Sequence, residues 1–257
     1  MSKTWTQTRV FTFRIAMCLA VSGILLGSLA ICSCSSSSTP VPNTSDLQQM
    51  YRNAVKDAET AEPGEISTNL TAIVPYNDKL IWQAETGRVL VVTWTSWSGY
   101  DSMVGNSTVL QQEVWVTASP ELQNFCRKCC QDNKSLILRL EQLLGVPPNS
   151  SKTRMVQMWV SPSDLFRPSP DPEITDHEAE LDFPTANNYV TVNQSYVEWF
   201  NTLKNTSYGE SGYPWTRLGY TYDWGNPQSE VGLSEFVVRQ GSTVGIYSVS
   251  STEAYCK

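Results

Sequence analysis

The sequence predicts an α+β fold with a largely antiparallel sheet in a single domain. Helical and strand patterns are mixed along the chain, without the regular strand–helix–strand alternation that builds a parallel sheet. Apolar residues make up 40% of the 257 residues and charged residues 17%, and a chain of that composition can bury a core. Two late strands meet across the short turn Gln240-Gly241, which favours antiparallel pairing. We therefore expect one domain over residues 46–257, with a few helices packed on the sheet.

Three stretches carry apolar residues at helical spacing. The first covers residues 47–58, with Ser45 as the expected N-cap. The second begins at Ser119-Pro120, because Ser is a favoured N-cap and Pro a favoured first helical residue, and it ends before Gly145. The third is a short helix around residues 196–203.

Strand patterns account for much of the remaining chain. The turn Glu85-Thr86-Gly87 predicts a hairpin between the second and third strands. Residues 162–184 contain five prolines and are expected to be mostly irregular. The predicted strands cover residues 70–74, 79–83, 88–94, 113–117, 153–160, 218–224, 234–239 and 242–249.

The charge balance and the histidine count exclude several classes of function. The chain has 18 Lys and Arg against 25 Asp and Glu, a net charge of −7. Because this acidic excess repels phosphate, no nucleic-acid partner is expected. His177 is the only histidine and no GxSxG motif occurs, so a conventional serine or cysteine hydrolase is not expected. An acidic loop around His177, residues 171–182, holds six Asp and Glu side chains, and their spacing does not follow that of a calcium-binding loop. We expect neither a metal nor a tightly bound cofactor.

The N-terminus has the three zones of an export signal. Residues 1–14 are basic and polar, residues 15–31 are apolar and uncharged, and small residues follow. The sequence Ile31-Cys32-Ser33-Cys34 resembles the lipobox of bacterial lipoproteins. This resemblance implies a signal peptide over residues 1–33 and a lipid chain on Cys34, and Ser35 after that cysteine implies outer-membrane sorting.

Residues 34–45 are rich in Ser and Pro and are expected to form a flexible tether. The mature domain is then expected outside the cytoplasm, held on a membrane surface by its lipid. An ordinary signal peptide or an uncleaved membrane anchor is the alternative.

Four cysteines lie in the predicted domain: Cys126, Cys129, Cys130 and Cys256. An even number in an exported chain predicts disulfides, and four cysteines permit three pairings. We expect one bridge from Cys256 to the helix that carries Cys126, with the other two thiols free or bridged locally. The alternative is a zinc site, because Cys126 and Cys129 have ligand spacing.

Residues 213–235 are richest in the residue types that bind and catalyse. The predicted strand over 218–224 begins after Arg217 and contains Asp223, and Glu235 lies in the next strand. Sheet pairing is expected to bring these three candidate catalytic residues together. The same strand is expected to present an aromatic wall on its opposite face, formed by the candidate binding residues Tyr220, Tyr222 and Trp224.

An arginine for an anionic group, an aromatic wall for a flat ring and a carboxylate for a developing cation suit a nucleotide-like or sugar substrate. The alternative is a packed aromatic face with an ion pair at its edge.

Residues 232–244 (GLSEFVVRQGSTV) resemble the late strand pair of ADP-ribosyltransferases and related NAD-cleaving toxins. In that family a glutamate opens a strand that turns into the next at a Ser/Thr step. The resemblance implies that Glu235 is a catalytic glutamate that stabilises a ribosyl cation, with NAD as the substrate. Leu233 occupies the position at which arginine-directed members carry a second Glu or Gln.

A further aromatic set lies in residues 93–100 (TWTSWSGY). Trp97 and Tyr100 among small polar residues are typical of sugar-binding surfaces, although a tryptophan in a strand also suits a core. Two functional hypotheses follow. The first is a lipid-anchored binding or envelope-interaction module, whose partner is a glycan, a nucleotide or an envelope protein. The second is an enzyme that acts on an NAD-like nucleotide or a glycan through Arg217, Asp223 and Glu235.

Overall fold

The computed structural model describes residues 43–129, 133–185 and 191–257. These ranges contain five α-helices and nine strands, and every strand pair is antiparallel. The α+β prediction is therefore confirmed. The predicted signal peptide, Cys34, most of the predicted tether and Cys130 lie outside the described residues.

The strands form one sheet in the order β3-β9-β5-β2-β4-β8-β6, with β1 beside β2 and β7 beside β8. The strands are β1 (Trp82–Gln83), β2 (Arg88–Thr95), β3 (Ser107–Val109), β4 (Val114–Ala118), β5 (Arg154–Val160), β6 (Leu165–Phe166), β7 (Tyr220–Tyr222), β8 (Val231–Val238) and β9 (Thr243–Ser251). The helices are α1 (Thr44–Ala58), α2 (Ser119–Cys129), α3 (Asn133–Leu143), α4 (Gln194–Ser207) and α5 (Thr252–Tyr255).

The two faces of the sheet are covered differently, because alternate residues of a strand point to opposite sides. Val89 and Val91 of β2 belong to the largest apolar cluster, which also includes Phe236 and Ile246. Val92 and Trp94 point the other way and pack with side chains of α2, α3 and α5. The helices therefore cover the β2 face near its C-terminal end, where the candidate site lies.

The predicted hairpin of residues 79–83 and 88–94 is present as β1 and β2, which pair antiparallel. The predicted strand over residues 70–74 is wrong. Leu70 and Ile73 instead donate single backbone hydrogen bonds to the carbonyls of His177 and Ile174 in the Pro-rich loop. Residues 70–74 are buried because this loop covers them, and not because they pair with another strand.

The predicted N-cap of α1 is also wrong by two residues. The Asn43 side chain accepts hydrogen bonds from the backbone N–H groups of Ser45 and Asp46, at 2.9 and 3.1 Å. The Asp46 carboxylate accepts from the Asn43 backbone in return, which completes a capping box. Ser45 therefore lies inside the first turn of the helix.

A disulfide joins Cys126 of α2 to Cys256, as expected. Two hydrogen bonds reinforce it, because Gln123 donates to the Tyr255 carbonyl and the Tyr255 hydroxyl donates to the Ser119 carbonyl. The C-terminal helix α5 is thus fixed against α2. Of the helices that the structure describes, none combines the length and the apolar composition needed to cross a bilayer.

Candidate functional site

The sheet opens between β2 and β4. These strands pair at only two positions, Val91 with Ala118 and Val92 with Thr117. By contrast, β2 pairs with β5 at seven positions and β4 pairs with β8 at four. The remaining residues of β2 (93–95) and β4 (114–116) have no such pairing with each other. The two halves of the sheet therefore separate beyond Val92 and Thr117.

A cavity of about 780 Å³ occupies this opening. Residues 92–95 and 114–117 form its two strand walls, residues 108–113 form one end, and Leu122 and Leu144 close the side that faces the helices. The volume lies in the range of small-molecule sites. In a regular sheet, backbone pairing between β2 and β4 would fill this space. Because that pairing stops, a concave site is left between the two strands.

Glu235 is the principal titratable residue of the cleft. Its backbone N–H donates to the Gly219 carbonyl at 2.9 Å, and β8 places it opposite Thr117 of β4. No side chain or backbone group of the described residues donates to its carboxyl group. Burial raises the pKa of Glu235 to about 8, so this carboxyl group is mostly protonated at neutral pH. A cation placed beside it favours the carboxylate and lowers that pKa.

Lys152 is the only basic side chain among the described residues that line the cleft. Its Nζ donates to the Trp94 carbonyl at 3.0 Å, and within the described ranges no carboxylate forms an ion pair with it. Burial lowers the pKa of Lys152, because the ammonium is partly desolvated and has no opposite charge beside it. An anionic ligand group would supply that charge.

Two threonines of the neighbouring strands line the cleft together with Glu235. The Thr221 hydroxyl donates to the Leu143 carbonyl at 2.6 Å and accepts from the Leu233 N–H at 2.9 Å, so its bonds are internal. The Thr117 hydroxyl is buried and has no hydrogen-bond partner among the described residues. Such a hydroxyl costs free energy until it is paired, and Thr117 is the cross-strand neighbour of Glu235.

Aromatic rings border the cleft. Trp94 is buried and its Nε1 donates to Thr252 of α5 at 2.9 Å, so this wall is rigid. Trp97 and Tyr100 meet edge to face with ring centroids 4.6 Å apart. Trp97 is 54% exposed while Tyr100 is 7% exposed. The two predicted binding residues therefore lie at the rim of the same cleft that contains Glu235, and they do not form a separate surface patch.

Gly99 explains how Trp97 is positioned at that rim. A Cβ atom on Gly99 would come within about 2.0 Å of the Trp97 ring, so only glycine allows the indole to lie against the backbone here.

The three predicted catalytic residues do not converge. Arg217 donates to the carbonyls of Ala58 and Glu59 at 3.3 and 2.9 Å, and its guanidinium lies 5.5 Å from the centre of the Tyr208 ring. It satisfies carbonyls at the C-terminal end of α1 that have no partner inside the helix. Arg217 therefore contacts the C-terminal end of α1 and does not line the cleft.

Asp223 also lies away from the cleft. Arg139 of α3 donates two hydrogen bonds to its carboxylate, at 2.7 and 2.5 Å, and Asp223 is 3% exposed. Strand β7 ends at Tyr222, and the chain then turns at Asp223, so its side chain meets α3. Of the three predicted residues, only Glu235 lies in the cleft.

Tyr220, Tyr222 and Trp224 do not form an open wall. Tyr220 donates to the Glu65 carbonyl and Tyr222 donates to the Asp57 carboxylate. Trp224 packs edge to face on Tyr51 of α1. The predicted binding surface here is thus a packed face, which is the alternative that the sequence left open.

The acidic loop serves a structural purpose. Arg167 is 1% exposed, and its guanidinium donates to the backbone carbonyls of Glu173, Asp176 and Glu178. The single histidine, His177, places Nδ1 2.6 Å from the Leu70 carbonyl. Among the described residues, no group of three or more His, Cys, Asp or Glu side chains is arranged to hold a metal ion.

Sequence reasoning missed Lys152 and Thr117 as site residues. Neither carries a local signal, because a lone lysine before a strand and a threonine within one are common on any sheet. Their place in the same cleft as Glu235 depends on the strand order β5-β2-β4-β8. Comparison of the chain with known protein families, with curated proteins and with solved structures finds no match.

Proposed function

We propose that this domain is an enzyme that cleaves the N-glycosidic bond of an NAD-like nucleotide in the cleft between β2 and β4. The observation that carries the proposal is Glu235, a carboxyl group in a concave site with no partner among the described residues. Such a group is free to interact with a ligand, because no ion pair or hydrogen bond already occupies it. The local resemblance of residues 232–244 to NAD-cleaving enzymes supports the same residue.

The chemistry requires one carboxylate. When the bond between the ribose C1′ and the pyridinium nitrogen breaks, its electron pair stays on the ring and nicotinamide leaves as a neutral molecule, so no acid has to protonate it. The positive charge that develops on the ribose is stabilised by the ionised Glu235. Water or another nucleophile then forms the new bond to C1′ and gives its proton to the same carboxylate.

The raised pKa of Glu235 is compatible with a substrate that carries a positive charge. The positive charge of the bound pyridinium favours the ionised carboxylate and lowers the raised pKa of Glu235. Lys152 would hold the negatively charged pyrophosphate, and the rim residues Trp97 and Tyr100 offer ring surfaces for a flat base.

Hydrolysis of a glycan is less well supported, because glycosidases use two carboxyl groups about 5 to 9.5 Å apart. Glu113 is the other acidic residue among the described residues that line the cleft. It lies four residues from Thr117, which faces Glu235, and this spacing corresponds to about 13 Å along an extended strand. Its carboxylate also accepts a hydrogen bond from Trp199 at 2.8 Å.

The proposed location is outside the cytoplasm, on a membrane surface, through a lipid on Cys34. The disulfide between Cys126 and Cys256 supports an oxidising compartment, since such bonds are rare where thiols are kept reduced. A second candidate function is a binding or envelope-interaction module that uses the same cleft without turnover. The exposure of Trp97 at the rim favours that candidate.

The test is to incubate the purified chain with NAD and, separately, with neutral cell-wall glycan fragments, and to follow products by mass spectrometry. The proposal expects nicotinamide to be released from NAD and the glycans to stay intact. Saturable binding of NAD without nicotinamide release would support the binding module. Cleavage of the glycans, or neither binding nor cleavage of NAD, would overturn the proposal.

A further inference from the structure

A second concave surface lies on the sheet face that α2 and α3 cover, but at the opposite end of β2. Arg88 and Trp94 are both on this face because they are six residues apart in one strand, a separation of about 20 Å. Trp159 of β5 pairs with Leu90 and Gly245, so its side chain lies on the same face as Arg88. Arg88, Trp159 and Tyr247 of β9 border a groove of about 260 Å³.

The groove has an aromatic wall. The rings of Trp159 and Tyr247 meet edge to face with centroids 5.5 Å apart, and Tyr247 is 53% exposed. A Cβ atom on Gly245 would lie 3.7 Å from both Arg88 Nη1 and Trp159 Cβ. Glycine therefore leaves open the space between the aromatic wall and the arginine.

The groove is also positively charged in an acidic protein. The guanidinium of Arg88 makes no hydrogen bond or ion pair with any described residue, and no acidic side chain is among the described residues that line the groove. The side-chain oxygen of Gln83, Oε1, accepts a hydrogen bond from the Thr86 hydroxyl at 2.7 Å, which leaves the Nε2 donors of Gln83 available. The groove therefore offers a ligand the unpaired guanidinium of Arg88, two aromatic rings and the amide of Gln83. These groups suit a ligand that combines a negative charge with a ring.

We propose that the groove bordered by Gln83, Arg88, Trp159, Gly245 and Tyr247 binds a glycan that carries a carboxylate. One face of a sugar ring would pack on the aromatic wall. Its carboxylate would accept two hydrogen bonds from Arg88, a geometry that the planar guanidinium favours. Hydroxyl groups would accept from Gln83. This proposal is independent of the proposed enzymatic function, because its residues do not overlap with those of the cleft.

The test measures binding of two tetrasaccharides to the full chain by isothermal titration calorimetry at low salt. One alternates glucuronate and N-acetylglucosamine, and the other is neutral chitotetraose. The acidic sugar should bind at least tenfold more tightly. Arg88→Gln should reduce that preference to less than twofold, and Tyr247→Ala should weaken both sugars. Arg52→Gln on α1, which lines neither the groove nor the cleft, should leave both affinities unchanged.

Loss of the preference on raising the salt concentration to 0.5 M would also agree with a charge-dependent contact. Equal binding of the two tetrasaccharides, no binding of the acidic one, or an unchanged preference in Arg88→Gln would overturn the proposal. Circular dichroism of each variant shows whether the fold is retained, and Arg88→Lys offers a second variant that keeps the charge but loses the planar pair of donors. It should bind the acidic sugar more weakly than wild type.

Discussion

Thr117 is paired with Val92 on one side and with Glu235 on the other. It is therefore the last residue of β4 that still joins the two halves of the sheet before they separate. Because Glu235 is its neighbour, the carboxyl group lies at the inner end of the cleft, where the walls meet. The position of the proposed catalytic residue is thus a direct consequence of where the β2–β4 pairing stops.

Glu235 should make the stability of the protein depend on pH. Its pKa is about 8 in the folded chain, above the ordinary value of about 4.3 in an unfolded chain. The folded state therefore binds more protons between these values, and the free energy of unfolding should fall as the pH rises from about 5 to about 8. Within this window, the free energy of unfolding should fall by up to about 1.4 kcal/mol per pH unit.

Urea denaturation at pH 5 and pH 8 tests this dependence. Glu235→Gln cannot ionise, so its stability should change less between the two pH values than that of wild type. A wild-type protein and a Glu235→Gln variant with the same pH dependence would show that Glu235 is not held in a desolvated site.

Lys152→Met should impair the recognition of a pyrophosphate. We expect KM for NAD to rise about tenfold or more, since a charged hydrogen bond contributes about 1.5 to 3 kcal/mol, while kcat changes little. Nicotinamide riboside, which lacks the pyrophosphate, should show less than a twofold change. Lys204→Met on α4 is the matched control and should behave as wild type. An equal effect on both substrates would contradict a phosphate contact.

Asp223→Asn should affect the fold and not the chemistry. The carboxylate is buried and held by two hydrogen bonds from Arg139, and leaving one partner of a buried ion pair uncompensated costs about 3 to 5 kcal/mol. Thermal unfolding should therefore occur at a clearly lower temperature, whereas kcat for nicotinamide release below that transition should stay within a few-fold of wild type. A large loss of kcat with unchanged stability would instead place Asp223 in the site.

Gly99→Ala should disturb the rim of the cleft. The new methyl group would collide with the Trp97 ring, so the indole has to move away from Tyr100. Gly64→Ala is the control, because a Cβ atom there meets nothing within 4 Å. We expect Gly99→Ala to change tryptophan fluorescence and to weaken NAD binding several-fold, and Gly64→Ala to change neither. Identical behaviour of the two variants would mean that Trp97 takes no part in binding.

Reduction of the disulfide should destabilise the domain and loosen the cleft. The bond closes a loop of 130 residues, for which chain entropy accounts for about 5 kcal/mol. Because Trp94 donates to Thr252 of α5, the helix that directly precedes Cys256, the cleft wall should lose support. Urea midpoints of wild type and Cys256→Ser, each with and without reductant, test this. Wild type without reductant should be the most stable, and reductant should have little effect on Cys256→Ser.

Local patterns predicted the parts of the fold that depend on neighbouring residues. The hairpin of β1 and β2 follows from a turn and two flanking strands, and the inward face of α2 placed Cys126 where it meets Cys256. The strand of residues 70–74 was predicted wrongly because an apolar run indicates burial without showing what covers it. The two-residue strand β6 was too short to leave a pattern.

The candidate site was predicted only in part, for a related reason. Glu235 was identified from its strand context, but the partners of Arg217 and Asp223 are backbone carbonyls of Ala58 and Glu59 and the side chain of Arg139. These groups lie more than 80 residues away in the chain, and only the tertiary structure brings them together. The cleft exists because the pairing of β2 with β4 stops after two residues. No local residue pattern predicts where such a pairing ends.

The catalytic role of Glu235 is tested most directly by comparing wild type with Glu235→Gln for both binding of NAD and release of nicotinamide. The variant keeps the size of the side chain and removes its charge. We expect it to bind NAD within a few-fold of wild type and to release nicotinamide at least a hundredfold more slowly. Release at the wild-type rate by Glu235→Gln would contradict the role of this residue, and no release by wild type would contradict the proposed reaction.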